Sequence, residues 1–538
     1  MTTQLESKYF QRIGGGPVFS GSTDVEPIAD GVAYFNALDT AIAATIGAGD
    51  AIYILGWRFD AAFDFRGRTG AAAVPVSQLL AAKRHAGVDV RIVLWTGVVL
   101  GDPGSFPFAN PCQDNLRAAR TLRKELVPGS STPPLADRVL LDWSGASTGS
   151  HHMKAVTVVS GGGANMVAFS TGIDPWKYRR DSAPHTQDVD PKDGSPFGWH
   201  DAAVRLNGAA ARAIYDTFVQ RWREASTLPP KKYYLDFNTA LSEPVNPPSA
   251  VPPLPAPPSA PTISRPQQAV QVMRSRYAWK YAHPLSPRKQ EWDGPPLNTG
   301  GFYEVFETLK KAILAARRYI YIEDQYLGDS PSSDTSKGFS LLPHLAAVAA
   351  ARDVKLIFVG SGRGDPDDPP GQRGPANQTF ASVGRGLGGL IPGLKASVAD
   401  ELQNNFGIDP ASRISVWRLK PATVHSKVMV IDDRFLAIGS ANIHSRSMVG
   451  EDSELHVAIV DEANLIRDFR IALWSEHFNL PDSGRPAGVQ AALEDLDIAL
   501  GLWRSNWLPT TAVDSWIVPD RPVGFLPLPK ELEFVGPT

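Results

Sequence analysis

Residues 424–442 read VHSKVMVIDDRFLAIGSAN. Side chains alternate along a strand, so His425 and Lys427 share a face and Val428 to Ile431 continue as a buried run. Asp432 and Asp433 supply a turn and Phe435 to Ile438 a second strand, so the stretch is expected to be a hairpin. Gly439, Ser440 and Asn442 at its end are small or polar and permit close approach to a ligand. A ring nitrogen, an ammonium and an amide on one small surface suit a phosphate group. They offer a cation, several donors and a group able to attack or to protonate. One histidine cannot serve as nucleophile and acid at once, so this chemistry needs a second such unit.

The second unit is HHMKAVTVV (151–159), with His152 and Lys154 at the same spacing, followed by VAFSTGID (167–174) with Gly172 and Asp174. It belongs to a longer repeat. FNALDTAIAATIGAGDAIYILGWRF (35–59) resembles FYEVFETLKKAILAARRYIYIEDQYL (302–327), each a helix pattern followed by an apolar strand. GVDVRIVLW (87–95) resembles ARDVKLIFVG (351–360), and HDAAVRLNGAAARAIYDTFVQRWRE (200–224) resembles ELHVAIVDEANLIRDFRIALWSEHF (454–478). Five matches in one order indicate an internal duplication. Alternating helices and apolar strands predict an α/β sandwich in each half, a central mixed sheet flanked by helices. The halves are expected to pack about a pseudo-two-fold axis that brings the two HxK strands face to face.

A proline-rich tract, EPVNPPSAVPPLPAPPSAPT (243–262), reads as an extended connector. The expected organisation is therefore an N-terminal half over 1–240, a linker over 241–290 and a C-terminal half over 291–538. With 538 residues, 43% hydrophobic and 20% charged, the composition is ordinary for globular domains. A net charge of −3 gives no sign of a surface built for nucleic acid. The single cysteine, Cys112, excludes intramolecular disulfides and a cysteine-based metal cage. No apolar run approaches a membrane span, and the N-terminus lacks the basic start and apolar core of a secretory leader. The expected location is the cytoplasm, or outside it by a route needing no cleaved leader.

The two motifs resemble the phospholipase D superfamily, whose signature is HxKxxxxD followed by a G-[GS]-x-N element, present twice per site. His425, Lys427, Asp432, Gly439, Ser440 and Asn442 fit the second copy in full. In the first copy Val159 stands at the aspartate position, Asp174 stands where asparagine is usual, and SGGGAN (160–165) lengthens the hairpin. GIDPWKYRRDSAP, GWHDAAVRL and RYIYIEDQYL resemble flanking segments of phosphatidylcholine-type, eukaryotic-like members without C2 or PX/PH modules. The resemblance implies that His152 attacks phosphorus to form a phosphohistidine and that His425 is general acid, then general base. It implies that Lys154, Lys427 and Asn442 hold the phosphate oxygens, that Asp201 and Glu454 orient the histidines, and that no metal or cofactor is required. The implied partner is a phospholipid at a membrane surface, met by a peripheral monomer with no transmembrane segment and no nucleic-acid role.

Further expectations attach to single residues. Asp174 and Ser440 are candidate substrate contacts. Trp57, Trp176 and Tyr326 are candidates for an aromatic box around a quaternary ammonium headgroup, against plain core packing. His151 reads as structural, and Arg180 with Asp181 as a salt bridge capping a loop. Residues 361–411 read as a Gly/Pro-rich loop that dips into lipid, covers the site or is simply mobile, and 185–197 as a rim loop. Two rival functions remain. One is a non-catalytic phosphate- or lipid-binding protein, motivated by Val159 and Asp174. The other is a nuclease of the same superfamily, against which the charge balance argues.

Overall fold

Ala51–Gly56 and Tyr319–Asp324 are buried at every position and lie at the centres of two mixed sheets. The computed structural model describes residues 2–96, 109–142, 149–183, 185–189, 196–227, 251–255, 260–276, 301–325, 339–361, 398–419, 422–478, 487–503 and 532–534, with single positions between them. Tyr326, most of the 361–411 loop and part of the 185–197 loop lie outside the described residues.

The first sheet runs Thr23–Ala29, Ala202–Gly208, Asn165–Thr171, Ala155–Ser160, Ala51–Gly56, Asp89–Trp95, Val139–Asp142. The second contains Gln268–Arg276, Glu454–Asp461, Phe435–Gly439, Lys427–Ile431, Tyr319–Asp324, Lys355–Ser361, Ile414–Leu419 in the corresponding order. In both, the last three strands are parallel and the hairpin strands antiparallel. The duplication thus extends to strand order and register. Helices complete the layers. Gly31–Ala43 buries Tyr34, Phe35, Leu38 and Ile42, and Glu304–Ala315 buries Val305, Phe306, Leu309, Ala312 and Ile313, both at helical spacing. One apolar core lies on the facing sides of the two sheets and includes Trp222, Trp417, Trp474 and Trp503. Two further cores cover the outer faces. Among the described residues no helix is long and apolar enough to cross a membrane.

The boundary expected between the halves is corrected in two places. Within 241–290, Gln268–Arg276 is a strand of the second sheet, equivalent to Thr23–Ala29 of the first. Its sequence, QAVQVMRSR, conceals this because its polar residues find partners inside. Gln271 donates to the carbonyl oxygens of Gln11 (2.7 Å) and Gly16 (3.1 Å), and Arg274 pairs with Glu304 at 2.9 Å. The N-terminal arm also crosses over. Val18–Ser20 extends the second sheet beside Gln268–Arg276, and Tyr9 and Phe10 sit in that sheet's outer core.

A short parallel pairing joins the halves. Gly198, Trp199 and His200 align with Ala422, Thr423 and Val424. Opposite it, His151 bridges to Ser453. These two seams place His425 beside Asp201 and His152 beside Glu454.

Val159 is explained at the hairpin turn. In the second half Asp432 accepts the backbone N–H groups of Arg317 (2.8 Å), Arg318 (2.8 Å) and Tyr319 (3.1 Å), tying the turn to the start of the neighbouring strand. In the first half the carboxylate sits on the other side of the same junction. Asp50 accepts from Gly162 of the lengthened turn at 2.8 Å and from Ile46 at 2.7 Å. Val159, paired with Ala51, is free to be core. Asp432→Ala is expected to cost about 1–2 kcal/mol in urea unfolding, as three backbone N–H groups at the strand junction, that of buried Tyr319 among them, lose a charged acceptor. Turnover per folded molecule should not change, because Asp432 lies at the far end of its strand from Lys427; an unaltered unfolding midpoint would count against the turn role.

Candidate active site

Both motif histidines sit at the start of a strand that is sealed by the opposite half. His152 donates its backbone N–H to Ser453 O (3.0 Å), and its Nδ1 lies 3.0 and 3.1 Å from the carboxylate oxygens of Glu454. His425 donates its backbone N–H to His200 O (2.8 Å), and its Nδ1 lies 2.7 Å from Asp201 Oδ2. The pairing is crossed, since each imidazole is oriented by an acid of the other half. A carboxylate can only accept here, so Nδ1 carries the proton and Nε2 of each ring is left for chemistry. Groups of both motifs share one electrostatic environment: Lys154 and His152 act to lower His425, and Lys154 acts to lower Lys427.

The carboxylates are themselves held. Glu454 accepts from the hydroxyls of Ser440 and Ser447, each at 2.6 Å. Ser440, expected at the substrate, is buried and engaged with Glu454. Its counterpart in the repeat is Gly172, where a Cβ would come 2.3 Å from Asp201 Oδ1. At Gly439 a Cβ would come 2.6 Å from Leu455 O. The small residues of the motif are therefore needed for the close approach of the acid-bearing strand.

Lys154 and Lys427 are almost wholly buried, and both are bent back onto the carbonyl of the motif histidine. Burial lowers Lys154 from its ordinary range and lowers Lys427 to about 8. Lys154 is compensated by Asp174 at 3.4 Å, whose other oxygen accepts the N–H groups of Trp57 (3.1 Å) and Arg58 (3.0 Å). Lys427 bonds Gln325 at 3.1 Å and faces Asp324, its partner in the strand register. The first half has Gly56 at the position of Asp324. The two departures match: where the strand lacks its aspartate, the asparagine position supplies one. Asp174 is thus a buried counter-ion of Lys154. Asn442, in the matching position, is buried, and its amide oxygen has no hydrogen-bond partner among the described residues.

His425 is held well below the usual imidazole range, first by burial and then by Arg179, Lys427, Lys154 and His152. Burial raises Asp201 above the usual carboxylate range. The direction of both shifts fits a neutral imidazole donating to a buried carboxylate. Arg179 is a further cation that the sequence reading passed over. Buried, with its guanidinium 3.4 Å from the Trp199 ring centre, it acts on His425, Lys154, Asp201 and Lys427. Its position within GIDPWKYRRDSAP was the available signal. A tryptophan stands edge-on to each histidine, Trp57 at 5.5 Å from His152 and Trp199 at 5.3 Å from His425.

The aromatic box finds its cations within the chain. Lys154 Nζ lies 4.9 Å from the Trp57 ring centre, and Arg58 lies 3.8 Å over Trp176. His151 is fully buried near Asp142, and burial pushes its pKa well down, which agrees with a structural part. Arg180 and Asp181 take separate partners. Arg180 donates to Phe65 O, and Asp181 accepts from His185 and from Trp199 N.

Behind His425 lies a buried histidine–carboxylate cluster. Asp30, His185, His200 and Glu476 bring four potential metal-ligand atoms within 4.8 Å of one another, and His200, Glu323 and His477 form a second such set. Both imidazoles of the first set lie 2.7 Å from Glu476 Oε1, well inside the roughly 3.3 Å between ligands on tetrahedral zinc. The spacing is that of ion pairs. Burial opposes charge at both rings, yet the surrounding carboxylates raise His185 to about 10 and His200 well above its usual range.

A family model described as phospholipase D matches residues 44–351 and 396–491. Phospholipase D A of Dictyostelium discoideum is 24% identical over 471 residues, covering 75% of this chain and 32% of that protein. Phospholipase D alpha 3 of Arabidopsis thaliana is 24% identical over 524 residues, covering 80% of this chain and 61% of that protein. The chain therefore spans less than two thirds of either relative. Among solved structures, the phosphatidylserine synthase of Haemophilus influenzae Rd KW20 aligns with a TM-score of 0.46 at 10% identity, covering 86% of this chain and 87% of the other.

The exchange of Asp174 for Asp324 can be tested by moving the charge. Asp174→Asn should cost about 3 kcal/mol in denaturant unfolding, because it strips a buried ammonium of its counter-ion. Adding Gly56→Asp, which restores the arrangement of the second half, should recover at least part of that loss. Strictly additive losses would show that the two positions do not share a function.

Proposed function

This chain belongs to the phospholipase D family, and we propose that it hydrolyses glycerophospholipids to phosphatidate and the headgroup alcohol through a phosphohistidine on His152. The observation that carries the proposal is the crossed pairing of two imidazoles with carboxylates, each imidazole followed two residues later by a buried lysine. Covalent catalysis needs a nucleophile whose lone pair is aimed and a separate proton donor, and two such units supply both.

In this reading the phosphodiester lies between Lys154 and Lys427, with Asn442 donating to a further oxygen. Nε2 of His152 attacks phosphorus, and the P–O bond to the headgroup breaks. The departing alkoxide takes the proton from Nε2 of His425. Water then attacks the phosphohistidine, giving its proton back to His425, and the P–N bond breaks. An alcohol in place of water yields the phosphatidyl alcohol. Burial and the nearby cations hold His425 neutral in the free protein; a phosphate anion offsets the cations, so substrate binding shifts His425 toward the protonated, acid form. The two lysines and Arg179 provide the positive charge that the transition state requires. The substrate class comes from the relatives' names, and the protein is taken to act as a peripheral monomer at a lipid surface. Asp174 and Val159 motivated a non-catalytic reading; both are accounted for by carboxylates placed across the same junction.

Incubation with a phospholipid panel and a primary alcohol should yield phosphatidyl alcohol detectable by mass spectrometry, with phosphatidate from water. His152→Ala should abolish both products. Absence of either product from every phospholipid with the unaltered protein would refute the assignment. Because burial lowers Lys427 to about 8, the site loses a cation as pH rises through that value. A fall of kcat/KM above about pH 8 is expected, and Lys427→Arg should move that limb to higher pH even at a lower absolute rate.

A further inference from the structure

The two crossed pairs are alike in outline but not in their surroundings. Ser453 precedes Glu454 as His200 precedes Asp201, and the carbonyl of each receives the backbone N–H of the opposite motif histidine. At Ser453 the side chain adds only a long bond across to Ser150 O at 3.4 Å, and this seam is held instead by the neighbouring Asp452, which accepts the backbone N–H and the hydroxyl of Ser150 at 2.9 and 3.0 Å. At His200 the side chain starts a closed circuit between the halves. Its Nε2 lies 2.8 Å from Glu323 Oε2, and the same oxygen accepts the Ser426 hydroxyl at 2.8 Å. The Ser426 backbone N–H returns to His200 O at 3.2 Å. Nδ1 of His200 lies 2.7 Å from Glu476 and 3.2 Å from Asp30, and His477 holds the other oxygen of Glu323 at 2.8 Å. All these groups are buried or nearly so.

We infer that His200, clamped by Glu323 and Glu476, is the positioning residue for His425. The inference rests on the proposed roles of the two histidines, and it explains why the residue before Asp201, unlike the one before Glu454, is a histidine held by carboxylates of the other half. His425 must hold its place through two steps, first giving up a proton and then taking one, while its own charge changes. A ring fixed only by Asp201 would move with that charge. His200 fixes the backbone on both sides of His425, through the carbonyl that receives His425 and Ser426 and through the Ser426 hydroxyl. It also leads directly into Asp201. The nucleophile's position is set once, by attack on phosphorus, and the hydroxyl-held Glu454 suffices there. Contacts that hold the partners of a reacting group govern its orientation, and small displacements cost large factors in rate.

Two variants test this. Ser426→Ala removes one bond of the circuit and keeps every buried charge paired, and Glu323→Gln removes the shared acceptor charge. Two readouts apply: hydrogen exchange of residues 422–428 against 149–156, and the time course on a p-nitrophenyl phosphodiester of a diacylglycerol. The leaving group of that substrate needs no proton. Exchange should rise over 422–428 and stay at the wild-type level over 149–156. The nitrophenolate burst should be kept while steady-state turnover falls, about tenfold or more for Glu323→Gln. Equal losses in burst and steady state, or unchanged exchange over 422–428 in both variants, overturn the inference. Should the wild-type protein give neither burst nor turnover, the catalytic reading fails, and unchanged or selectively raised exchange still decides whether His200 positions this segment. If Glu323→Gln does not fold, Ser426→Ala decides alone.

Discussion

Everything in the site depends on the exchange of carboxylates between halves. An imidazole can rotate about two bonds, and without an acceptor on Nδ1 it adopts neither a fixed tautomer nor a fixed direction. Here neither half supplies the acceptor for its own histidine. Asp201 belongs to the half that holds His152, and Glu454 to the half that holds His425. The seams at Gly198–His200 with Ala422–Val424, and at His151 with Ser453, are therefore as much a part of the site as the histidines.

The duplication has kept contacts while changing which side supplies them. At the turn, Asp432 in one half answers to Asp50 in the other, one on the hairpin and one before the neighbouring strand. At the lysine, Asp324 answers to Asp174. In each case a junction needs one negative charge nearby, and the physics does not care which strand carries it. A motif scored by position marks both as losses. Scored by the charge delivered to the same junction, both are retained.

The sequence disclosed the α/β halves, the hairpins and the two HxK units, because strand alternation and spacing between near neighbours are written locally. The resemblance pointed to Asp201 and Glu454, which occupy matching places in the repeat and lie beside the motif histidines. The crossing of the pairs was not legible, since it depends on how the halves dock. Arg179 was hidden in a segment read only as a loop capped by Arg180 and Asp181, and that pairing does not form. Gln268–Arg276 was missed because buried Gln271 and half-buried Arg274 interrupt what would otherwise read as an apolar strand. The aromatic trio was chosen by residue type alone; two of the three rings already face a lysine or an arginine of the chain.

The crossing-over of the N-terminal arm bears on how the molecule comes into being. Val18–Ser20 pairs with a strand about 250 residues later, and His152 meets its acceptor only at Glu454. A nascent chain can build the first sheet as it leaves the ribosome, but its leading arm must wait, unpaired, for the second sheet to arrive. Until residue 454 has emerged, the first histidine has no fixed direction, and a truncated translation product carries an intact HxK motif that is chemically mute. The crossed pairs thus form only once both halves are present.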